Sequence, residues 1–250
     1  MDARDVLLMP LHALVSNKLR SALTLVGIVA GVASIIGVMT AISVVQATLE
    51  REMSVLGAQT FQVQKWPAGG FASDAERRRA MRRPPLTLAN ADAIRERVKS
   101  VDLVGSELWD FGFRVAFRGE TTNPNVSICG GTPEYPPNNT HYVGLGRNLS
   151  PMDVRSAGRV AVIGHAIARR LFPFADPIGR VVRLDGRKFE VVGVFDEKKS
   201  ALGGSFDNYV LIPVSTFLAI YGPVDRQGNL RSVNITVRAK TPALMPEAIA

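Results

Sequence analysis

A long hydrophobic run near the N-terminus dominates the hydropathy pattern of this chain. Between Ser21 and Leu49 no side chain carries a charge. As a helix, residues 22–45 would measure about 36 Å at ~1.5 Å per residue, which exceeds the ~30 Å hydrocarbon core of a bilayer. The run is longer than the apolar core of a signal peptide, and it lacks the polar face of a soluble surface helix. The pattern therefore predicts a transmembrane helix over residues 21–46.

The segments on either side of the predicted span have different patterns. Good helix formers continue from Gln46 towards Gly57, so we expect a stalk helix over residues 47–57 that ends at the glycine. Residues 1–20 alternate between apolar and polar positions. That alternation fits either a short helix on the cytoplasmic membrane surface or a frayed terminus.

Basic residues beside the span indicate its orientation. Lys18 and Arg20 lie at the N-terminal membrane edge, whereas Arg51 is the nearest basic residue on the other side. Cytoplasmic flanks carry the excess of lysine and arginine. We therefore expect an inner (cytoplasmic) membrane protein with residues 1–20 in the cytoplasm and the chain after about residue 50 outside, in the periplasm or its equivalent.

Small residues recur inside the predicted span. Gly27 and Gly31 form a GxxxG pattern, and Ser34 continues the series. Small side chains allow a neighbouring helix to approach closely, although glycine is also common in isolated spans. The spacing is typical of a helix that packs against another helix, and both interpretations stay open at this point.

After the span, the pattern changes to short apolar or alternating runs separated by turn residues. Strands are predicted over residues 60–66, 101–109, 113–120, 125–132, 160–163, 180–184, 188–195, 208–213 and 232–240, and helices over 91–98, 164–172 and 214–222 and from 241. Asp185–Gly186 is a strong two-residue hairpin turn, and Thr87 or Asn90 can cap the first of these helices. The predicted fold class is α+β: one N-terminal transmembrane helix with a helical stalk, followed by a mixed α+β extracytoplasmic domain.

The basic charge of the chain does not by itself identify a partner. A formal net charge of +8 is compatible with nucleic-acid binding but is also common among membrane proteins. The sharpest basic cluster, residues 76–83, lies between Pro67 and Pro84 in a segment that we interpret as a loop or linker. Such a cluster could contact anionic lipid headgroups, nucleic acid or a charged partner, or be a solvated loop. No aromatic residue interrupts it, which argues against stacking on single strands, and we predict no nucleic-acid partner.

The sequence shows no pattern of a catalytic or cofactor site. It contains one cysteine, Cys129, and three widely separated histidines, which excludes a disulfide within the chain and gives no metal-ligand spacing. Phosphate-binding glycine loops and the GxSxG nucleophile motif are absent. We therefore predict no catalytic residue, no metal and no cofactor, and a protein that is not an enzyme.

Five stretches resemble, in the right order, the permeases of MacB/FtsX-like ABC transporters. They are NKLRSALTLVGIVAGV, LGAQTFQVQ, ICGGTPEY, the long stretch from GRNLSP to FEVVGVF, and NYVLIPVSTF. One departure is Gln59, where the family more commonly has asparagine. The resemblance covers nearly the whole chain, and it implies an N-terminal span followed by a MacB-like periplasmic core domain.

Within these stretches, the resemblance singles out residues with structural rather than reactive roles. They are Gly131, Pro133, Gly164, Pro177, Gly179, Gly193 and Pro213. We expect Gly179 to let the chain turn into the next strand, and Gly193 to mark a bulge in an otherwise continuous β run.

The resemblance also implies a domain organisation. A Porter-like part would comprise residues 58–118 and 228–250, and a β-rich subdomain, residues 119–227, would be inserted into it. Members of the family carry three more spans after this domain. The chain stops at Ala250 inside a predicted helix, so we expect it to be a truncated permease.

The function implied by the resemblance is mechanical. Permeases of this type couple ATP hydrolysis by a separate cytoplasmic ABC ATPase to movements outside the membrane, in export or mechanotransmission. The implied partners are that ATPase, a second permease copy, membrane lipid and an extracytoplasmic adaptor protein.

Two other functions remain open from the residues alone. A single-span binding or adaptor protein without transport activity needs only the anchor and the domain. Further hydrophobic runs encoded downstream would exclude it. A membrane-anchored hydrolase is disfavoured, because no nucleophile and base are placed in a recognisable pattern.

Overall fold

The computed structural model describes residues 18–54, 59–67, 73–198 and 207–249. The chain separates into two compact units, residues 1–51 and 52–250. The helices are α1 (Lys18–Ser54), α2 (Asp74–Arg82), α3 (Leu88–Arg97), α4 (Tyr135–Asn138), α5 (Pro151–Arg155), α6 (His165–Leu171), α7 (Val214–Tyr221) and α8 (Met245–Ile249), with a 3-10 turn at Pro242–Leu244. The strands are β1 (Thr60–Val63), β2 (Val101–Phe113), β3 (Val115–Phe117), β4 (Glu120–Thr121), β5 (Val126–Gly131), β6 (Val143–Gly146), β7 (Val160–Ile163), β8 (Val181–Leu184), β9 (Arg187–Phe195), β10 (Tyr209–Pro213) and β11 (Asn234–Ala239).

The N-terminal unit is the helix α1, which is long and apolar enough to cross a membrane by length and composition. Its apolar part lies within Lys18–Val45, where the most hydrophobic stretch of 18 residues has a mean hydropathy of 2.4. Thr24 and Ser43 satisfy their hydroxyl groups within the helix, by donating to the carbonyls one turn earlier at 2.7 and 2.9 Å. The helix continues without a break to Ser54, as the helix-forming residues after the run predict. The predicted end of the stalk at residues 55–57 and the N-terminal segment 1–17 lie outside the described residues.

The second unit is built on one mixed β-sheet. Its strand order is β1-β11-β2-β5-β10-β7-β9-β8-β3-β4, and β6 pairs with β9. The pairs β5–β10 and β7–β9 are parallel, and the other pairs are antiparallel. The long strand β2 bonds to both β11 and β5, so hydrogen bonding is continuous across the predicted boundary between the Porter-like part and the inserted part. That division stays a prediction.

Alternate residues of the central strands fill two cores, one on each face of the sheet. Ile128 and Val210 point into the larger core with Phe217 of α7, and all three are fully buried. Their neighbours Cys129 and Leu211 point into the smaller core on the other face. This period of two is what buried strands require, and together with α1 it confirms the predicted α+β fold class.

Local signals predicted most of the element boundaries in the second half of the domain. Strand β7 runs into α6 at Gly164, and Pro213 is the last residue of β10. The helix expected near residue 91 begins earlier, because Thr87 and Asn90 act together as a capping box. The Thr87 N–H donates to the Asn90 side-chain oxygen at 2.9 Å.

Residues 74–82 form a helix, so the interpretation of this segment as a loop is wrong. Ser73 caps α2 by accepting the N–H of Glu76 at 3.2 Å. Acidic residues occupy the first turn and arginines the last turn, which is favourable for the helix dipole. Ala80 is 1% exposed, so the helix has a buried side.

Other boundaries also differ from the prediction: the first strand ends at Val63 rather than at residue 66, and the strand expected over 113–120 is divided into β3 and β4. Strand β2 extends four residues past Trp109 to Phe113, although Gly112 has a φ of +85°. The proline-rich segment before residue 151, expected to be a loop, contains the short helix α4 and the strand β6. In the last two places tertiary pairing with neighbouring strands outweighs the local turn signals.

The β8–β9 hairpin turns at Asp185 and Gly186, as predicted, with φ angles of 49° and 76°. Gly186 has open space around it, so only its backbone conformation restricts substitution. We expect Gly186→Ala to lower the free energy of unfolding by about 1 kcal/mol, as measured by urea denaturation. Gly186→Asn is the control and should lose less, because asparagine tolerates the left-handed region. An alanine variant as stable as the asparagine variant would contradict this interpretation.

Candidate functional site

The small residues predicted for helix packing lie on one side of α1. At 3.6 residues per turn, Gly31 and Ser34 lie about 40° and about 20° from Gly27 around the helix axis. A Cβ atom built on either glycine meets nothing within 4 Å. Lys18 and Arg20 are exposed on the first turn, where they can reach headgroups. The packing role of this face remains a prediction.

Two of the motif residues predicted to be structural meet at the centre of the sheet. Gly131 ends β5 and lies opposite Pro213, which ends the parallel strand β10. A Cβ atom on Gly131 would lie 2.7 Å from Leu211 Cδ1, so a larger residue there would require the end of the leucine side chain to shift. Pro133 follows the end of β5, and its carbonyl accepts the Asn148 amide at 2.9 Å.

Gly164 joins β7 to α6 at the closest backbone contact among these motifs. Its N–H donates to the Tyr209 carbonyl at 2.8 Å. A Cβ atom there would overlap the Asp207 carbonyl group and lie 3.0 Å from the Tyr209 oxygen. The position therefore requires glycine for space, and its φ of −68° is ordinary.

The remaining motif residues shape the region around β9. The register of β7 against β9 shifts so that Ala161 faces Val191 and Val162 faces Gly193, which is the irregularity expected from the glycine in this β run. Gly179 has a φ of +74°, and its N–H donates to the Val191 carbonyl at 2.8 Å. The sequence Pro177–Gly179 thus turns the chain towards β8.

A groove lies beside α6, bounded by β6 and the end of β9. Its volume is about 530 Å³, and its lining includes Leu145, Phe172 and Pro177 together with Arg169 and Asp196. The lining combines apolar walls with two side chains of opposite charge.

The smaller core contains a cluster of polar and aromatic side chains that the sequence patterns do not reveal. Trp109, Tyr135, His141, Phe195 and Tyr209 have neighbouring ring centroids 5.2–6.1 Å apart. They come from β2, α4, the loop before β6, β9 and β10. Only the strand order of the sheet brings them together, so no local motif could have predicted the cluster.

Burial shifts the pKa of two titratable side chains in or beside this cluster, Glu107 and His141. It raises the pKa of Glu107, which is 3% exposed, from 4.5 to about 7, although the Trp109 and Asn234 side chains donate hydrogen bonds to the carboxylate. Burial lowers the pKa of His141 to about 3, and the charge of Lys198 acts in the same direction. The imidazole is therefore neutral at physiological pH.

Cys129, which is buried in the same smaller core, is poorly suited to act as a nucleophile. Burial, assisted by the charge of Glu107, raises the pKa of the Cys129 thiol well above its usual value. A thiol in this state is protonated and weakly nucleophilic. Among the described residues, no group of three or more His, Cys, Asp or Glu side chains could hold a metal ion.

Comparison with known proteins adds a family to these observations. The sequence model of the MacB-like periplasmic core domain matches residues 21–250. A macrolide export ATP-binding/permease protein, MacB, from Bdellovibrio bacteriovorus is 28% identical over 231 residues, which are 91% of this chain and 34% of that protein. YvrN of Bacillus subtilis, an uncharacterized ABC transporter permease, is 27% identical over 222 residues, covering 84% of this chain and 52% of YvrN. The chain thus spans about a third of the length of the MacB relatives.

Solved structures show the same fold. The periplasmic region of MacB from Actinobacillus actinomycetemcomitans superimposes with a TM-score of 0.60 and 18% identity, covering 80% of this chain and 84% of that one. The extracellular domain of YknZ, a noncanonic ABC-type transporter of Gram-positive bacteria, gives a TM-score of 0.57 and 20% identity, with coverage of 76% and 88%. Together with the match of the family model to both the apolar helix and the sheet domain, they identify this chain as a member of the MacB-like periplasmic core domain family of ABC transporter permeases.

Proposed function

We propose that this chain is the first span and the extracytoplasmic domain of an ABC permease of the export or mechanotransmission type. One observation carries the proposal: the family match begins inside α1 and continues through the whole domain. The unbroken helix from Lys18 to Ser54 is a stiff element that can carry movement out of the membrane. Lys18 and Arg20 favour a cytoplasmic N-terminus and a domain outside.

In this proposal the chain does no chemistry of its own. A cytoplasmic ABC ATPase, in a separate domain or subunit, hydrolyses ATP, and its closure moves the transmembrane helices of two permease copies. The domain then passes the movement to an extracytoplasmic partner, for which the groove beside α6 is a candidate contact. The buried Cys129 and the neutral His141 are consistent with this mechanical role. The alternative, a single-span binding or adaptor protein, predicts no associated ATPase.

Purification of the full-length protein from its own cells, in a gentle detergent, tests the proposal. We expect an ABC ATPase to co-purify in a fixed ratio and to be identified by mass spectrometry. An unrelated inner-membrane protein with the same tag serves as the control for chance association. Full-length protein that repeatedly purifies without any ATPase would contradict the proposed coupling and favour the adaptor function.

The small face of α1 gives a second test, which concerns the second permease copy. We expect Gly27→Ile with Gly31→Ile to lower the yield of dimer in membrane cross-linking several-fold, because the larger side chains keep a neighbouring helix away. Gly37→Ile is the matched control, since it lies about 80° from Gly27 around the helix. Equal dimer yields for the control and the double variant would contradict a packing role for this face.

A further inference from the structure

The helix α2 presents a group of arginines that the proposed function does not use. We call Arg78, Arg79 and Arg82 the arginine face. All three are exposed, whereas Ala80 on the same helix is 1% exposed. At 3.6 residues per turn, Arg78 and Arg82 point almost directly away from Ala80, and Arg79 lies beside them. The arginine face is therefore directed out of the domain.

The charges of the arginine face are not balanced within the described ranges. No acidic side chain there lies within 4.0 Å of Arg78, Arg79 or Arg82. Asp74, one turn before Arg78 on the helix, makes no such pair with it. Like charges spaced three and four residues apart repel one another. An anionic surface would relieve this repulsion.

A tryptophan lies at the C-terminal end of the same helix. Arg83 donates to the Lys65 carbonyl at 3.5 Å, which ties the end of α2 to the segment after β1. The Lys65 ammonium is 4.8 Å from the Trp66 ring centroid, and Trp66 is 39% exposed. A partly exposed indole next to a basic cluster is typical of a membrane interface, where one end of the ring is apolar and the other is wet.

The length of the chain limits how far the start of the domain can lie from the apolar run. From Val45 to Ser54 the helix adds about 14 Å, and from Ser54 to Thr60 an extended chain adds at most about 21 Å. The first strand of the domain therefore begins within about 35 Å of the end of the apolar run. A tether of this length raises the effective concentration of headgroups at the domain, so that weak contacts can form.

We propose that α2 binds anionic phospholipid headgroups through Arg78, Arg79 and Arg82, with Trp66 at the membrane interface. The guanidinium groups would pair with lipid phosphates, for which their planar fork is well suited. This inference rests on α1 crossing the bilayer, which is part of the proposed function. It adds a lipid-binding surface on the domain itself.

Energy transfer from Trp66 to a dansyl-labelled headgroup measures this contact in the full chain. The chain contains two tryptophans, so Trp109→Phe leaves Trp66 as the only donor. If that variant is unstable, the difference between the parent protein and Trp66→Phe gives the same signal. Nanodiscs of phosphatidylcholine, with and without about one-third phosphatidylglycerol, provide neutral and anionic surfaces.

We expect transfer to be about twofold more efficient in the anionic discs and to fall towards the neutral value at about 0.5 M NaCl. The triple variant Arg78→Gln, Arg79→Gln and Arg82→Gln should lose the difference between the two discs. The control, Arg155→Gln with Arg159→Gln and Arg183→Gln, removes the same charge from other exposed positions and should retain it.

Two results would overturn the proposal. Equal transfer in both discs, or an unchanged difference in the triple variant of α2, would show that the arginine face does not bind lipid, including the case in which it binds an acidic protein instead. A chain that fails to co-elute with the nanodiscs would instead refute the span itself, and this inference with it. Disc incorporation therefore separates failure of the proposed function from failure of the lipid contact alone.

Discussion

Gly164→Ala is expected to lower the free energy of unfolding of the domain by about 3 kcal/mol, because the added methyl group overlaps a neighbouring backbone. A Cβ atom at this position would overlap the carbonyl group of Asp207 and lie 3.0 Å from the Tyr209 oxygen. The obstacle is backbone on two sides, so no side chain can rotate away. Relief requires β7 and β10 to separate, which weakens the hydrogen bond of 2.8 Å from the Gly164 N–H to Tyr209.

Gly158→Ala is the matched control for this prediction. Gly158 lies just before β7, and a Cβ atom there would be 3.5 Å or more from its nearest neighbours, which is ordinary van der Waals contact. We expect this variant to unfold within about 0.5 kcal/mol of the parent protein. Urea denaturation of the full chain in detergent, followed by tryptophan fluorescence, measures both variants. A Gly164→Ala protein as stable as the Gly158→Ala protein would show that the β7–α6 junction does not require glycine.

Glu107→Gln is expected to stabilise the domain at high pH, by about 1–3 kcal/mol at about pH 8. Burial raises the pKa of this carboxyl group from 4.5 to about 7 in the folded state, so the folded protein disfavours the ionised form. Below about pH 4.5 the group is protonated in both states and has no effect on stability. Between about pH 4.5 and 7 the carboxyl group loses its proton in the unfolded state before it does so in the folded state. Above about pH 7 the folded protein must bury the charged carboxylate, and its desolvation lowers the free energy of unfolding. Glutamine carries no charge and avoids this cost.

The pH dependence separates this effect from a general change in packing. The difference between Glu107→Gln and the parent protein should grow from about pH 5 to about pH 8 and then level off. Glu96→Gln, at an exposed position on α3, is the control and should show no comparable gain. Urea denaturation at a series of pH values gives both curves. A gain that is the same at all pH values, or a loss of stability at about pH 8, would contradict the burial of a carboxyl group with a raised pKa.

The parts of the fold that local sequence encodes were predictable. The long apolar helix α1 depends on a run of uncharged residues, and the β8–β9 turn depends on Asp185 and Gly186, which adopt the positive φ angles that the turn requires. The passage from β7 to α6 at Gly164 follows from an apolar run that ends in a glycine. In each case the physical signal is contained within a few neighbouring residues.

The parts that depend on tertiary contacts were not predictable. The arginines of α2 suggested a solvated loop, and the signals for a helix, the Ser73 cap and the small residue Ala80, are weak without the tertiary context that buries Ala80. Glu107 and Cys129 lie on neighbouring strands only because β2 pairs with β5. Nothing in either local stretch indicates that the two side chains share one core.

The location of the domain outside the cytoplasm is the central claim, and labelling of a single cysteine tests it most directly. Cys129, the only cysteine of the chain, is fully buried and should not react in the folded protein. Phe174 is fully exposed, so Phe174→Cys supplies one reactive thiol on the domain surface. In intact spheroplasts we expect a membrane-impermeant maleimide to label this variant as completely as after lysis, and to leave the parent protein unlabelled. Labelling of the Phe174→Cys variant only after lysis would place the domain in the cytoplasm and contradict the account.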